Sequence, residues 1–407
     1  MPIYNKKLKF ARCLRIIIGG LVFFQIVNAQ VSEKDLHKMI DAGSWSSEEM
    51  GNLQKGNIVV RSLETEGRHE IASIGILRIT NLPRISMSAF RESLSQKGSD
   101  SKKGGGSFSD PPTLDDLRDL ELDKESIEQL QKCTVGKCDL NLSAEMIRRF
   151  QHEVDWNSPD VKAKATRMIQ EMLVHYAREY QARGDGALGT YDNRRKIVDL
   201  ATSHRSLLSS SSFITDLAPE FVEYLKGFPS KKLDNLESRM RWSVVDFGLK
   251  PSITVSHTSA YTQFQGNIEQ LYLASKQIYA SRYLDASLTF TLLLRVSTES
   301  GVDTYLIFVD RSHSDALEGP LGRFARKIVQ KESFERIRTL IDKTQLRLLA
   351  VGEAESKIES DSKAEEPPPS WMALILQRPV AITIGIIVTV AALFLLWQRS
   401  RASRNER

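Results

Sequence analysis

Ser252-Ile253-Thr254-Val255-Ser256-His257-Thr258-Ser259-Ala260-Tyr261, Gln270-Leu271-Tyr272-Leu273-Ala274-Ser275-Lys276-Gln277-Ile278-Tyr279, Ala286-Ser287-Leu288-Thr289-Phe290-Thr291-Leu292-Leu293-Leu294-Arg295-Val296 and Thr304-Tyr305-Leu306-Ile307-Phe308-Val309-Asp310 follow one another in the C-terminal half of this 407-residue chain. Each run is rich in β-branched, aromatic and aliphatic residues, as strands are. Gly266-Asn267 and Ser300-Gly301 lie between runs as turn signals, so the set reads as antiparallel strands joined by hairpins. Leu321 to Leu349 follows and reads as one long helix. Leu321, Phe324, Ile328, Ile337, Ile341 and Leu348 mark its apolar face, and Lys and Arg crowd the other.

Upstream, Asn57 to Leu63 and Ile71 to Ile79 read as two further strands, with Gly75 the sole glycine inside the second. Ser86 to Ser95 reads as a helix. Gly98 to Pro112 is crowded with breakers and reads as a mobile loop. Glu125 to Gln131 fits a short helix, Cys138 to Leu142 a strand, and Ser143 the cap of the helix that follows. Asp155 to Gly227 is helical in character. Ser158-Pro159 opens a long helix that runs to about Arg183, along which Met168, Met172, Tyr176 and Tyr180 recur every four residues. Further helices fit Asn193 to Leu208 and Ala218 to Lys226.

This order resembles the helix-grip arrangement of the START-like lipid-transfer and polyketide-cyclase superfamily. Asn57 to Phe90 and Pro251 to Leu349 carry the resemblance. It implies an α+β fold in which an antiparallel sheet packs on the long C-terminal helix. It also implies a cavity between them for an apolar or amphipathic small molecule. Residues 108–242 then form a large, mainly helical insertion. The stretches Leu273 to Ser281 and Val309 to Ser312 also look like exported bacterial proteins of unassigned function.

The two ends of the chain speak to location. Residues 1–29 read as a secretory signal: Lys6, Lys7, Lys9, Arg12 and Arg15 precede the apolar run Ile16 to Val27, and Ala29 offers a cleavage site. Val380 to Trp397 is an uncharged apolar run that covers roughly 27 Å as a helix, near the thickness of a bilayer. Trp371 and Trp397 flank it as interfacial aromatics, and Arg399, Arg401, Arg404 and Arg407 mark a cytoplasmic tail. The expected order is signal 1–29, extracytoplasmic domain 30–352, acidic and proline-containing stalk 353–379, transmembrane helix 380–397 and basic tail 398–407. In a bacterium the large domain would be periplasmic and the C-terminus cytoplasmic.

Lys and Arg total 56 against 51 Asp and Glu, a formal net charge of +5. The leader and tail supply that excess, so the remainder is slightly acidic and carries no electrostatic case for nucleic acid. Hydrophobic residues at 41% and charged residues at 26% exclude a wholly disordered chain and a polytopic membrane protein. Of three cysteines, Cys133 and Cys138 fall in the exported part and are expected to form a disulfide, with two free thiols as the alternative. A metal site there is not expected, because no His lies nearby.

The catalytic motifs are few. Gly184-Asp185-Gly186-Ala187-Leu188-Gly189 matches Gly-x-Gly-x-x-Gly, but a long helix precedes it where a dinucleotide site needs a strand, so it reads as a helix-ending loop. His152-Glu153 lacks the second His of a metalloprotease helix. Arg311-Ser312-His313-Ser314-Asp315 gathers Ser, His and Asp, yet side chains adjacent in sequence diverge, and a polar turn is the plain alternative.

His257 shares an inward strand face with Ile253 and Val255. It would be either a ligand contact or a satisfied core histidine. Tyr279 and Tyr283 would line the same cavity or simply fill core. Arg311 would meet an anionic ligand or an internal carboxylate. The seven His show no metal-ligand spacing, and no cofactor is expected. The expectation is therefore a membrane-anchored extracytoplasmic binding protein for a lipid-like or apolar small molecule. The alternatives are a scaffold for an envelope protein partner and a hydrolase using Ser312 or His257.

Overall fold

The computed structural model describes residues 45–364, apart from 66, 95–103, 195, 246–249, 266–267, 299–300 and 318–321. The leader 1–29, the apolar run 380–397 and the basic tail lie outside the described residues. Among the described residues, no helix is long and apolar enough to cross a membrane.

The architecture is α+β. Among the described residues the strands are β1 (Val59–Ser62), β2 (Glu70–Thr80), β3 (Gly105–Ser107), β4 (Thr190–Tyr191), β5 (Val198–Asp199), β6 (Leu236–Val245), β7 (Ser252–Gln265), β8 (Ile268–Ala280), β9 (Ala286–Thr298) and β10 (Gly301–His313). The helices are α1 (Ser47–Gln54), α2 (Met87–Leu94), α3 (Lys124–Lys132), α4 (Ala144–Glu153), α5 (Val161–Arg183), α6 (Leu200–Ser209), α7 (Ser212–Leu217), α8 (Pro219–Gly227) and α9 (Gly322–Ala364). Eight strands form one sheet in the order β1-β2-β10-β9-β8-β7-β6-β3, and every neighbouring pair is antiparallel. β4 and β5 make a separate two-stranded ribbon.

The central strands are apolar on both faces because both faces are covered. Tyr305, Ile307 and Val309 of β10 join Phe290 and Leu292 of β9 in a core with Leu207, Ile214, Phe221 and Leu225 of α6–α8. The alternate residues of the pleat point the other way, towards α9. There Gly75 is the close-approach point: a Cβ on it would lie 2.3 Å from Ile337 Cγ2 and 2.7 Å from Ile341 Cδ1. The bare backbone of β2 is what lets α9 lie down on the sheet. On the α6–α8 face, a second core fills the space between β6–β8 and α3–α5, with Trp242, Val255 and Tyr279 against Met172, Leu173 and Ala177.

The chain forms two compact units. Of the described residues, the larger comprises 45–82 with Ser86–Arg347, and the smaller comprises Pro83–Ile85 with 348–364. Within the smaller, the Pro83 ring abuts Gly352, and Ile85 and Leu348 are buried.

Several sequence expectations need correction. The mainly helical region 108–242 also holds β4, β5 and the first part of β6, which was not expected. β6 alternates: Met240 and Trp242 are buried, while Glu237, Arg239 and Arg241 are exposed. The loop around Gly98 to Pro112 contributes β3, which pairs with β6 through Gly106 opposite Trp242. Cys138 to Leu142 is no strand. The segment expected as a helix from Asn193 starts its helix only at Leu200, after β5. α9 runs on to Ala364 instead of ending at Leu349, since no proline interrupts the helix before Pro367.

Candidate functional site

The long helix α5 and the sheet meet at an irregularity of β8. Pairing with β7 shifts there, so that Ser256 faces Gln277 and Val255 faces Tyr279, and Ile278 is skipped. Such a bulge leaves backbone groups outside the ladder. Two tyrosines from the helical region take them up. Tyr176 of α5 donates its hydroxyl to the Ile278 carbonyl at 2.9 Å, and the Ala280 N–H donates to the Tyr191 hydroxyl at 2.9 Å. The Tyr279 ring stands edge-on to both, with centroids 6.4 Å from Tyr176 and 6.2 Å from Tyr191. Its own hydroxyl is buried and has no hydrogen-bond partner. Burial pushes all three phenols upward, so they stay neutral.

Above this cluster lies an open cavity of about 510 Å³ between α4, α5 and the segment that carries β4. Met146, Met172, Tyr176, Tyr191, Leu200 and Tyr279 give it an apolar and aromatic wall. Arg149, His175 and Arg183 lie around it with Glu145 and Glu179. Arg149 pairs with Glu153 at 2.8 Å and Arg183 with Glu179 at 2.6 Å, so both arginines already have local partners. Asp192 lines the opening and caps α4, accepting the Ala144 N–H at 2.9 Å. The disulfide between Cys133 and Cys138 closes a tight loop behind it. That loop props the β4 segment, as Gly136 N donates to the Asp192 carbonyl at 2.7 Å and Cys138 N to the Asn193 carbonyl at 2.9 Å.

The four residues singled out from sequence do not converge. Tyr279 is in the cavity wall. Tyr283 sits in the β8–β9 turn, where its hydroxyl accepts the Lys250 N–H at 2.9 Å. Arg311 is buried in an ion pair with the equally buried Glu70. His257 is buried among Tyr180, Tyr224 and Phe228. Its Nδ1 lies 3.2 Å from the Tyr180 hydroxyl and its Nε2 3.4 Å from Ser259 Oγ. Burial, with the Lys276 cation as a lesser cause, pulls the imidazole down to about 3. Both ring nitrogens thus have internal hydrogen-bond partners. Lys276 is itself buried. Desolvation lowers its amine against the opposing pull of Asp185, with which it pairs.

The remaining motifs resolve structurally. Gly184 ends α5 with φ +55°, and a Cβ there would fall 1.9 Å from the Phe228 carbonyl oxygen. The glycine is needed for that close approach, and the next residue, Asp185, reaches Lys276. Ser312 and His313 alternate across β10 and project to opposite faces. Ser312 donates to Ser287 Oγ at 3.3 Å, while His313 lies 3.3 Å from Asp285, so they form no nucleophile–base pair.

The cavity itself was not read from sequence, because its walls come from four separated segments. Part of its lining was visible in the Met172 and Tyr176 stripe of α5. The structure also gathers His69, His313 and Asp315, which no local spacing announces. No protein-family model matches this chain, and no curated protein matches it at a significant level.

Proposed function

We propose that this protein is a membrane-anchored, extracytoplasmic binding protein for an apolar or amphipathic small molecule, held in the cavity between α4, α5 and the β4 segment. The observation that carries the reading is the Tyr279 wall of that cavity. A pocket of about 510 Å³ with an aromatic and thioether lining has the size and character of a small-molecule site. Tyr279 contributes its ring to that wall, while its hydroxyl is buried behind the surface without a hydrogen-bond partner.

The secretory signal and the apolar run 380–397 support the extracytoplasmic, single-span topology. The Cys133–Cys138 bond suits an oxidising compartment. The packing of α9 over Gly75 favours a helix-grip relationship. The site we assign nevertheless lies on the opposite face of the sheet from α9, so it is a property of the inserted region.

The rival readings gain less. Ile328, Val329, Leu346 and Phe264 are exposed but scattered, which is ordinary for a surface and marks no docking patch. Ser312 and His313 face opposite ways, and the Tyr180 and Ser259 hydroxyls beside His257 are buried with it. The test is titration of the full chain with a fluorescent medium-chain fatty acid. Saturable binding that Ala187→Trp abolishes by filling the cavity supports the reading. Binding that is absent, or indifferent to Ala187→Trp, overturns it.

A further inference from the structure

A second constellation lies at the end of the sheet, independent of the cavity. Antiparallel register sets Glu70 opposite His313 and His313 opposite Ala286, so β2, β10 and β9 finish side by side. Backbone bonds lock these ends together. Ser314 N donates to the His69 carbonyl at 2.8 Å, and Asp285 N donates to the His313 carbonyl at 2.9 Å. His69 just before β2, His313 at the end of β10 and Asp315 in the turn beyond are thereby held together. One ligand atom from each lies within 4.8 Å of the other two, and the two imidazole centroids are 4.7 Å apart.

The surroundings are organised around this group. Gly67 leaves the room that the His69 ring uses: a Cβ there would come 2.8 Å from its Nε2. Asp285 is buried. Its carboxylate accepts the Asp315 N–H at 2.6 Å and lies 3.3 Å from His313 Nδ1. Lys196, an exposed side chain, places its ammonium 3.0 Å from Asp315 Oδ1. The spot thus already draws a cation.

We propose that His69, His313 and Asp315 form a binding site for a divalent transition metal of the zinc type, with Asp285 positioning His313. Two imidazoles and one carboxylate are the donor set such ions prefer, whereas calcium and magnesium take oxygen ligands. Asp285 lies 3.3 Å from His313 Nδ1 without a hydrogen bond to it; a small turn of the ring completes that bond and leaves Nε2 of His313 for the metal, the outer-shell carboxylate arrangement that fixes a ligating histidine. Side-chain rotation about the locked strand ends brings the ligands to bonds of about 2 Å. The ion displaces Lys196 from Asp315. Three protein ligands leave a fourth position for water or a ligand.

The test uses the tag-free full chain, equilibrated with buffered Zn²⁺ and analysed for bound metal, with calorimetry for affinity. One equivalent per chain is expected. His69→Gln and His313→Gln should each abolish that stoichiometric binding. Asp285→Asn should weaken it by about 10- to 100-fold, as loss of an outer-shell partner does. Lys196→Met should tighten it by removing the competing cation. The Co²⁺-loaded chain should show visible ligand-field bands that His69→Gln removes. His69 lies in a turn, so its variant decides the matter even if His313→Gln does not fold. No stoichiometric metal in the folded wild type would overturn the proposal, as would unchanged affinity in folded His69→Gln.

Discussion

Tyr279 meets Tyr176 edge to face, with ring centroids 6.4 Å apart, and the Tyr279 hydroxyl has no partner while that of Tyr176 is bonded to the Ile278 carbonyl. Two neighbouring phenols in one wall should therefore respond oppositely to loss of oxygen. Tyr279→Phe removes an unsatisfied group and should leave the thermal midpoint unchanged or higher. Tyr176→Phe strands a buried carbonyl and should cost about 1–3 kcal/mol. Denaturant unfolding of the two variants reads both effects.

The contact of Gly75 with Ile337 gives a second prediction. Gly75→Ala places a methyl where Ile337 Cγ2 and Ile341 Cδ1 already are. Overpacking of this kind should destabilise by about 1–3 kcal/mol. Combining it with Ile337→Ala should cost less than the two single changes added, because the second change opens the space the first one fills. A denaturant double-mutant cycle checks the sign.

Acid should act through the buried histidines. His257 is held down to about 3, and burial likewise lowers His204 well below the ordinary value. The unfolded chain takes up these protons near pH 6.5 while the folded one refuses them. Stability is thus unaffected above pH 6.5 and falls as the pH drops from there towards 3, by up to ~1.4 kcal/mol per pH unit for each histidine. His257→Asn should flatten the slope between pH 6.5 and 4.5. Unfolding free energies measured across that range test this, and an equal slope in the variant contradicts it.

Removing the disulfide should affect both fold and site. Cys133→Ala with Cys138→Ala frees a short loop and should cost about 2 kcal/mol by loop closure. Because that loop holds the backbone of Asp192 and Asn193, the adjoining cavity wall loosens too. Probe affinity should fall in the same variant, which a thermal melt and a titration would show side by side.

The sheet was legible where strands are long and apolar. β7–β10 were visible at hairpin spacing, and Ile337, Ile341 and Leu348 of the expected α9 stripe are buried, whereas Ile328 is exposed. β6 was missed because the charges of Glu237, Arg239 and Arg241 mask its period, although Met240 and Trp242 alternate with them. β3 is Gly105-Gly106-Ser107 and has no side-chain pattern to read. It forms because Trp242 sits opposite, with its indole N–H donating to the Asp116 carbonyl at 2.8 Å. The partners of buried groups were beyond reach for a different reason. Tyr180 and His257, or Glu70 and Arg311, meet only once the chain has folded. The cavity and the His69–His313–Asp315 group are long-range in the same way.

The central claim is that the cavity beside Tyr279 carries a small molecule. The most direct measurement is mass spectrometry of solvent extracts from the purified full chain, compared with Ala187→Trp prepared identically. The account predicts one apolar or amphipathic compound at about one equivalent in the wild type, missing from the filled-cavity variant. Lipid bound anywhere outside the cavity would appear equally in both and cancels. Identical extracts from two folded proteins would contradict the account.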